Sequence, residues 1–269
     1  MGDCRGIAHW DDGLLPLTKP KDRENRIGRS KIGGRTLGWK ENLAVVRDKI
    51  EKAAARAGRC PEEITLLVVT KYITAAEIKQ LVDYGLREFG ENRIQDARRK
   101  QEAVAGLTDA VRWHFIGSLQ TNKVRLAVGN FQLIHSLDRL PLAEELNRVA
   151  LARQVKVPVL LQVNVSGEVS KHGLAPDAVL PFYARVQTLP GLIPCGLMTM
   201  APYTSEPETT RPVFRGLRLL FERIKEEFNP GPHWRELSMG MSNDYEVAIE
   251  EGATIVRIGS AIFGAEEEG

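Results

Sequence analysis

From Trp39 onward the chain alternates between two hydrophobic periods. Leu43, Val46, Ile50 and Ala54 recur every three to four residues, which predicts an amphipathic helix ending near Gly58. The run Ile64-Thr-Leu-Leu-Val-Val-Thr70 comes next. It is rich in branched residues and too short for a helix, as a strand buried on both faces of a parallel sheet should be. The cycle then repeats. Further helices are predicted near 75–84, 92–104, 121–128, 139–153, 176–188, 210–227 and 243–250, and further strands near 86–89, 112–116, 131–135, 157–164, 192–198, 235–239 and 254–258. Eight strands separated by helices within about 230 residues favour a single closed (β/α)8 TIM barrel over an open doubly wound sheet. An open sheet of the dinucleotide-binding kind would also want a Gly-x-Gly-x-x-Gly turn after its first strand. Here that strand ends Thr70-Lys71-Tyr72.

Residues 1–38 break the pattern. They hold seven glycines and eight Lys or Arg with almost no apolar period, which reads as a flexible extension ahead of a barrel over 39–269. They lack the apolar stretch of a secretory signal, and Asp3, Asp11, Asp12, Asp22 and Glu24 speak against a transit peptide. Gly6 stands where a myristoylation signal wants Ser or Thr, and Gly34 where a phosphate loop wants lysine. A start codon assigned too far upstream explains the segment equally well.

Composition narrows the function classes. The 269 residues are 43% hydrophobic and 27% charged, which is ordinary for a globular protein. Lys plus Arg number 37 against 35 Asp plus Glu, so the basic excess of a nucleic-acid binder is missing. No apolar run is long enough to span a membrane. Cys4, Cys60 and Cys195 match neither a disulfide framework nor a zinc spacing, so the chain is expected to be cytoplasmic and reduced.

In barrels the reactive groups sit at the C-terminal ends of the strands. Lys71 closes the first strand behind an apolar wall, where lost solvation would favour the neutral amine that Schiff-base chemistry needs; a lysine snorkelling into solvent is the plainer alternative. The second strand ends Gly90-Glu91-Asn92, and Asn92 can either face the mouth or cap the next helix. His114 alternates with apolar neighbours and fits a core histidine as well as a catalytic one. Asn164-Val-Ser166, formally a glycosylation sequon, reads as a polar rim. The sharpest signal lies in the last two units. Ser238-Met239-Gly240-Met241-Ser242 and Arg257-Ile258-Gly259-Ser260 bring small residues and helix starts to the place where barrels commonly bind phosphate. Arg257 lies among Ile255, Val256 and Ile258, where a guanidinium calls for a planar or anionic partner. A lysine, an arginine and a phosphate site in this order suit pyridoxal 5′-phosphate (PLP).

The same residues resemble those of the pyridoxal phosphate homeostasis protein family. The matching segments, in order, are Val69-Thr-Lys71, Phe89-Gly-Glu-Asn92, Trp113 to Lys123, Gln162-Val-Asn164, Lys171-His-Gly173, Gly196-Leu-Met198, Leu237 to Ser242 with Asp244, and Val256-Arg-Ile-Gly259. The resemblance implies a barrel like the alanine racemase N-terminal domain, with PLP held as an imine on Lys71. It implies phosphate contacts at Ser238, Gly259 and Ser260, with Met239 and Asn92 also in the cofactor site and Arg257 near the ring nitrogen. Thr70 and Arg93-Ile94 depart from the common pattern. Alanine racemase also uses a tyrosine base from a second domain, for which the residues after Gly264 leave no room. The expectation is therefore a non-catalytic cofactor carrier, with Lys123 and Lys171 as transfer candidates. The alternatives are a low-activity racemase using His114 or a Lys71-bound water as base, and a regulatory module. Expected partners are PLP itself and either apo-enzymes that need it or a regulatory protein, with neither nucleic acid nor membrane, on a monomer or weak dimer.

Overall fold

The computed structural model describes residues 30–32, 35–106, 111–168 and 171–264. Strands β1 (Ser30–Ile32) and β2 (Arg35–Leu37) pair antiparallel. This short ladder lies within the segment read as a flexible extension, of which residues 1–29, 33 and 34 lie outside the described residues. Helix α1 (Trp39–Arg56) leads into the alternation β3 (Thr65–Val69), α2 (Ala75–Asp83), β4 (Glu88–Glu91), α3 (Ile94–Val104), β5 (Arg112–Phe115), α4 (Val124–Ala127), β6 (Leu133–Leu137) and α5 (Leu140–Ala152). It continues through β7 (Val157–Gln162), α6 (Val179–Val186), β8 (Leu192–Met198), α7 (Arg211–Phe228), β9 (Glu236–Met241), α8 (Tyr245–Glu250), β10 (Ile255–Ile258) and α9 (Ser260–Phe263). Strands β3 to β10 run parallel and close into one barrel in the order β10-β3-β4-β5-β6-β7-β8-β9.

Local chemistry sets the element ends. Thr74 accepts from the Glu77 amide while the Glu77 carboxylate accepts from the Thr74 amide, a reciprocal cap that starts α2. Pro212 lies in the first turn of α7, where a missing N–H costs nothing, and Asn229 ends that helix in the left-handed region at φ 45°. Two of the expected helices are shorter and begin as 3-10 turns, Thr121–Lys123 before α4 and Pro176–Ala178 before α6.

Side-chain alternation divides the core into two layers. Leu67, Leu133, Leu160, Met198 and Ile255 point inward and pack together in the lumen. Their neighbours Val68, Ile134, Val159, Leu161, Leu197 and Val256 point outward against the helices. Helix α1, which precedes the first barrel strand, packs on α8 and α9, and the Asn42 side-chain amide donates to the Ile262 carbonyl at 2.8 Å. Among the described residues no helix is long and apolar enough to cross a membrane.

The pleat is interrupted in β8. Gly196 has φ 151°, and the register of β7 on β8 shifts there. A Cβ at this position would run into the Glu236 carbonyl of β9. Gly196→Ala is expected to cost at least about 2 kcal/mol in urea unfolding, because clash and backbone strain add at one site.

Candidate functional site

At the C-terminal mouth, β10 lies beside β3, with Arg257 paired opposite Leu67. Leu67 faces the lumen, so alternation carries Val69 and then Lys71 up the same side toward the mouth. Lys71 follows the end of β3. Its side chain is exposed, with Nζ 4.5 Å from the Tyr72 ring centroid, a cation–π contact. This corrects the idea of an amine desolvated by an apolar wall: the wall lies beneath it, and the amine reaches solvent.

What holds the lysine's position is the residue before it. Thr70 is fully buried, and its Oγ1 donates to Glu91 Oε1 at 2.5 Å. Lys100, on α3, donates from Nζ to the same carboxylate oxygen at 2.6 Å and to the Thr70 carbonyl at 2.5 Å. Glu91 Oε2 is buried with no hydrogen-bond partner among the described residues. The buried pair therefore clamps the β3 end from outside the barrel.

Arg257 is 4% exposed and projects into the lumen. Its Nη1 donates to Ser238 Oγ at 2.7 Å and its Nη2 to the Thr199 carbonyl at 2.9 Å. Burial pulls the guanidinium down to about 10, with Asp244 acting in the opposite direction, so it remains charged at neutral pH. Ser238 is fully buried and also bonds His135 Nδ1 at 2.9 Å, which places it deeper than a phosphate-binding turn. Met239 faces the opposite way, into the layer between barrel and helices. The residue that joins the last two turns is Ser242, whose Oγ accepts from the Gly259 amide at 3.3 Å and the Ala261 amide at 3.1 Å. These two amides converge on one oxygen position at the start of α9, an anion-type donor pair. Ser260, the first residue of α9, is exposed beside them.

Asn92 is exposed just after β4, and Arg93 rather than Asn92 occupies the N-cap of α3, so the capping alternative is not met. Its backbone is pressed against Gly117, where a Cβ would collide with the Asn92 carbonyl. Asn164 ties the next loop: Oδ1 accepts from Ser166 and the Gly167 amide, and Nδ2 donates to the Glu168 and Lys171 carbonyls. That loop carries Lys171. Its side chain is only 19% exposed, 3.3 Å from Glu168 and 3.4 Å from the Met200 carbonyl, so it belongs to the mouth and is not a freely solvated lysine. Lys123 is half-buried in the 3-10 turn before α4. His114 is buried inside the barrel, bonded through Nδ1 to His135 and through Nε2 to Glu88.

The features missed in the sequence are Ser242, Thr199, Glu88, His135 and the Glu91–Lys100 pair. A histidine inside the apolar run Leu133-Ile-His-Ser-Leu137 was the one available signal.

A closed barrel with a lysine after its first strand, and an arginine and two converging amides on its last, defines a class: the alanine racemase N-terminal-domain barrels. A family model described as "Alanine racemase, N-terminal domain" matches residues 42–267. An alanine racemase of Clostridium difficile shares the fold, with TM-score 0.66 at 15% identity over 86% of this chain and 57% of that one. Within the class the relatives are specific. The pyridoxal phosphate homeostasis protein of Aquifex aeolicus is 45% identical over 225 residues, 83% of this chain and 96% of its own. That of Escherichia coli is 45% identical over 231 residues, 84% and 96%. The structure of PipY from Synechococcus elongatus with PLP bound matches with TM-score 0.74 at 33% identity, over 84% of this chain and 100% of that one. The chain belongs to the pyridoxal phosphate homeostasis protein family.

Lys100→Met leaves the Glu91 charge buried without its partner and should cost about 3–5 kcal/mol in urea unfolding, while adding Glu91→Leu should recover most of that loss. His135 is held well below the usual imidazole range, first by burial and then by His114 and Arg257, so it is neutral when folded. The unfolded chain binds a proton there below about pH 6.5 and the folded chain does not. Stability from this group is thus complete above that pH and falls as pH drops below it, by up to about 1.4 kcal/mol per pH unit. Unfolding midpoints across this range should slope less in His135→Gln than in wild type.

Proposed function

We propose that this chain holds PLP at the C-terminal mouth, anchored through Lys71, as an intracellular reservoir that limits free aldehyde and delivers the cofactor to apo-enzymes, without strong catalysis of its own. The observation that carries this reading is Arg257, a charged guanidinium buried in the lumen on the strand next to the one that leads to Lys71. When bound, PLP supplies an aldehyde that condenses with a primary amine and a pyridine ring that can delocalise charge.

The residues present fit that group. Lys71 offers an accessible amine at the mouth. The Gly259 and Ala261 amides, now given to Ser242 Oγ, are donors of the kind a phosphate oxygen takes, and Ser260 can add its hydroxyl. Asn92 offers donor and acceptor at the rim. Ser238 and the Thr199 carbonyl orient Arg257 from below, and Met239 acts only as packing behind them. Lys171 supplies a second amine at the same mouth for transfer.

Two observations favour holding over turnover. An arginine keeps its proton, so a ring nitrogen facing Arg257 stays an acceptor and the ring is a weak electron sink. His114, one of the two bases open to the racemase alternative, has both ring nitrogens engaged inside the barrel. The name of the relatives and the PLP in the PipY structure support the same reading.

The test is the absorbance of purified protein with added PLP, before and after borohydride, beside Lys71→Ala. A band that borohydride bleaches, leaving cofactor mass on Lys71, is expected, and it should be lost in the variant. A protein that takes up no PLP would overturn the reading, as would rapid exchange of the α-hydrogen of alanine for deuterium.

A further inference from the structure

Five side chains from five strands make one unbroken polar line across the lumen. Glu88 Oε2 on β4 lies 3.0 Å from His114 Nε2 on β5, and His114 Nδ1 lies 2.9 Å from His135 Nε2 on β6. From His135 the line crosses the lumen to Ser238 on β9 and ends at Arg257 on β10. His135 and Ser238 are fully buried, and His114 is 5% exposed.

The two ends dictate where each proton sits. A guanidinium can only donate and a carboxylate can only accept, whereas the hydroxyl and the two imidazoles can do either. We propose that this line is a proton-ordered relay in which His135 and His114 are positioning residues for the PLP site, fixing Arg257 from the opposite end of the barrel. Arg257 donates to Ser238, Ser238 donates to His135 Nδ1, His135 Nε2–H donates to His114 Nδ1, and His114 Nε2–H donates to Glu88. Each link then holds one proton and every acceptor is used. The relay rests on the PLP reading above for its purpose, but not for its direction.

Charge makes the direction conditional. A second proton on His135 would set two cations against one buried hydroxyl. The other imidazole meets a carboxylate instead, with Glu88 Oε2 3.0 Å from His114 Nε2. Burial works against ionised Glu88, but His114 and Arg112 together hold it below the usual carboxylate range. With His114 doubly protonated the middle of the line reverses: His114 Nδ1–H donates to His135 Nε2, and His135 Nδ1–H donates to Ser238. Ser238 then accepts from both sides and turns its own hydrogen away. The charged groups around the line are Glu88 and Arg112 at one end, and Arg257 with Asp244 beyond it at the other. Glu88 also borders a depression of about 330 Å³ at the N-terminal mouth, lined in part by Arg47, Glu51, Glu62 and Arg87. Solvent therefore reaches the far end of a line that ends under the cofactor site.

Two readouts test the relay. In the full chain without PLP, two-bond nitrogen-15 correlation spectra at about pH 8 should show both His114 and His135 as Nε2–H tautomers; a proton on His135 Nδ1 at that pH overturns the proposed direction. In the PLP-loaded protein, the absorption band of the Lys71 adduct is titrated in wild type and in Glu88→Gln, whose amide can donate where the carboxylate could not. The midpoint should move by about half a pH unit or more. A loaded Glu88→Gln protein with an unmoved midpoint overturns the relay. Failure of wild type to take up PLP is a different result: it removes the cofactor reading and the positioning role with it, while the tautomers still decide the direction. His135→Gln serves as the stronger variant where it folds, and Glu88→Gln, at the part-exposed end, keeps the test independent of that.

Discussion

The structure is organised around a positive charge that cannot be discarded. Arg257 sits on a barrel strand with its guanidinium inside the lumen, and even there it stays protonated at neutral pH. An interior guanidinium is tolerable only where acceptors meet its N–H groups. That need accounts for a serine where β9 faces the lumen and for the aim of the Thr199 carbonyl. It also bears on the choice of a neutral histidine at 135, since another cation there would compete for the Ser238 hydroxyl. Below Arg257 the lumen holds the apolar cluster of Leu67, Leu133, Leu160, Met198 and Ile255 beside the polar line that runs down to Glu88.

A second buried charge works from outside the barrel wall. Lys100 and Glu91 meet at the end of β3, where they take up the Thr70 hydroxyl and carbonyl. The two charged clusters lie on opposite faces of neighbouring strands and share no group. One fixes the base of the mouth, and the other fixes the backbone one residue before Lys71. The lysine can thus be exposed at its tip while its Cα is held, a combination that suits the anchoring role proposed for it.

Much of this was legible in the sequence because the barrel repeats one signal. Each short apolar run and each three-to-four spacing had a counterpart within a few residues, from Thr65–Val69 to Ile255–Ile258. The strand-end rule then brought Lys71, Arg257 and Gly259 to one mouth. Depth within the lumen was harder to read. Ser238 and Ser242 are both small and polar in one segment, and only the register of β9 shows that the first meets Arg257 while the second meets the amides. Met239 falls on the outer face for the same reason of alternation. The exposure of the Lys71 tip is not legible, because an apolar strand says nothing about the turn after it. Contacts such as His135 to Ser238, 103 residues apart, leave no local trace at all.

That last contact also has a mechanical side. Strands β6 and β9 are not neighbours in the barrel; β7 and β8 separate them on one side and four strands on the other. A barrel wall made only of neighbour-to-neighbour ladders can flatten toward an oval while each ladder bends slightly. A hydrogen bond across the lumen acts as a spoke against that deformation, and the His135–Ser238 bond is continued to the wall on either side by His114 and Arg257. The cross-section at this depth is therefore braced along one chord, which resists flattening of the mouth above it.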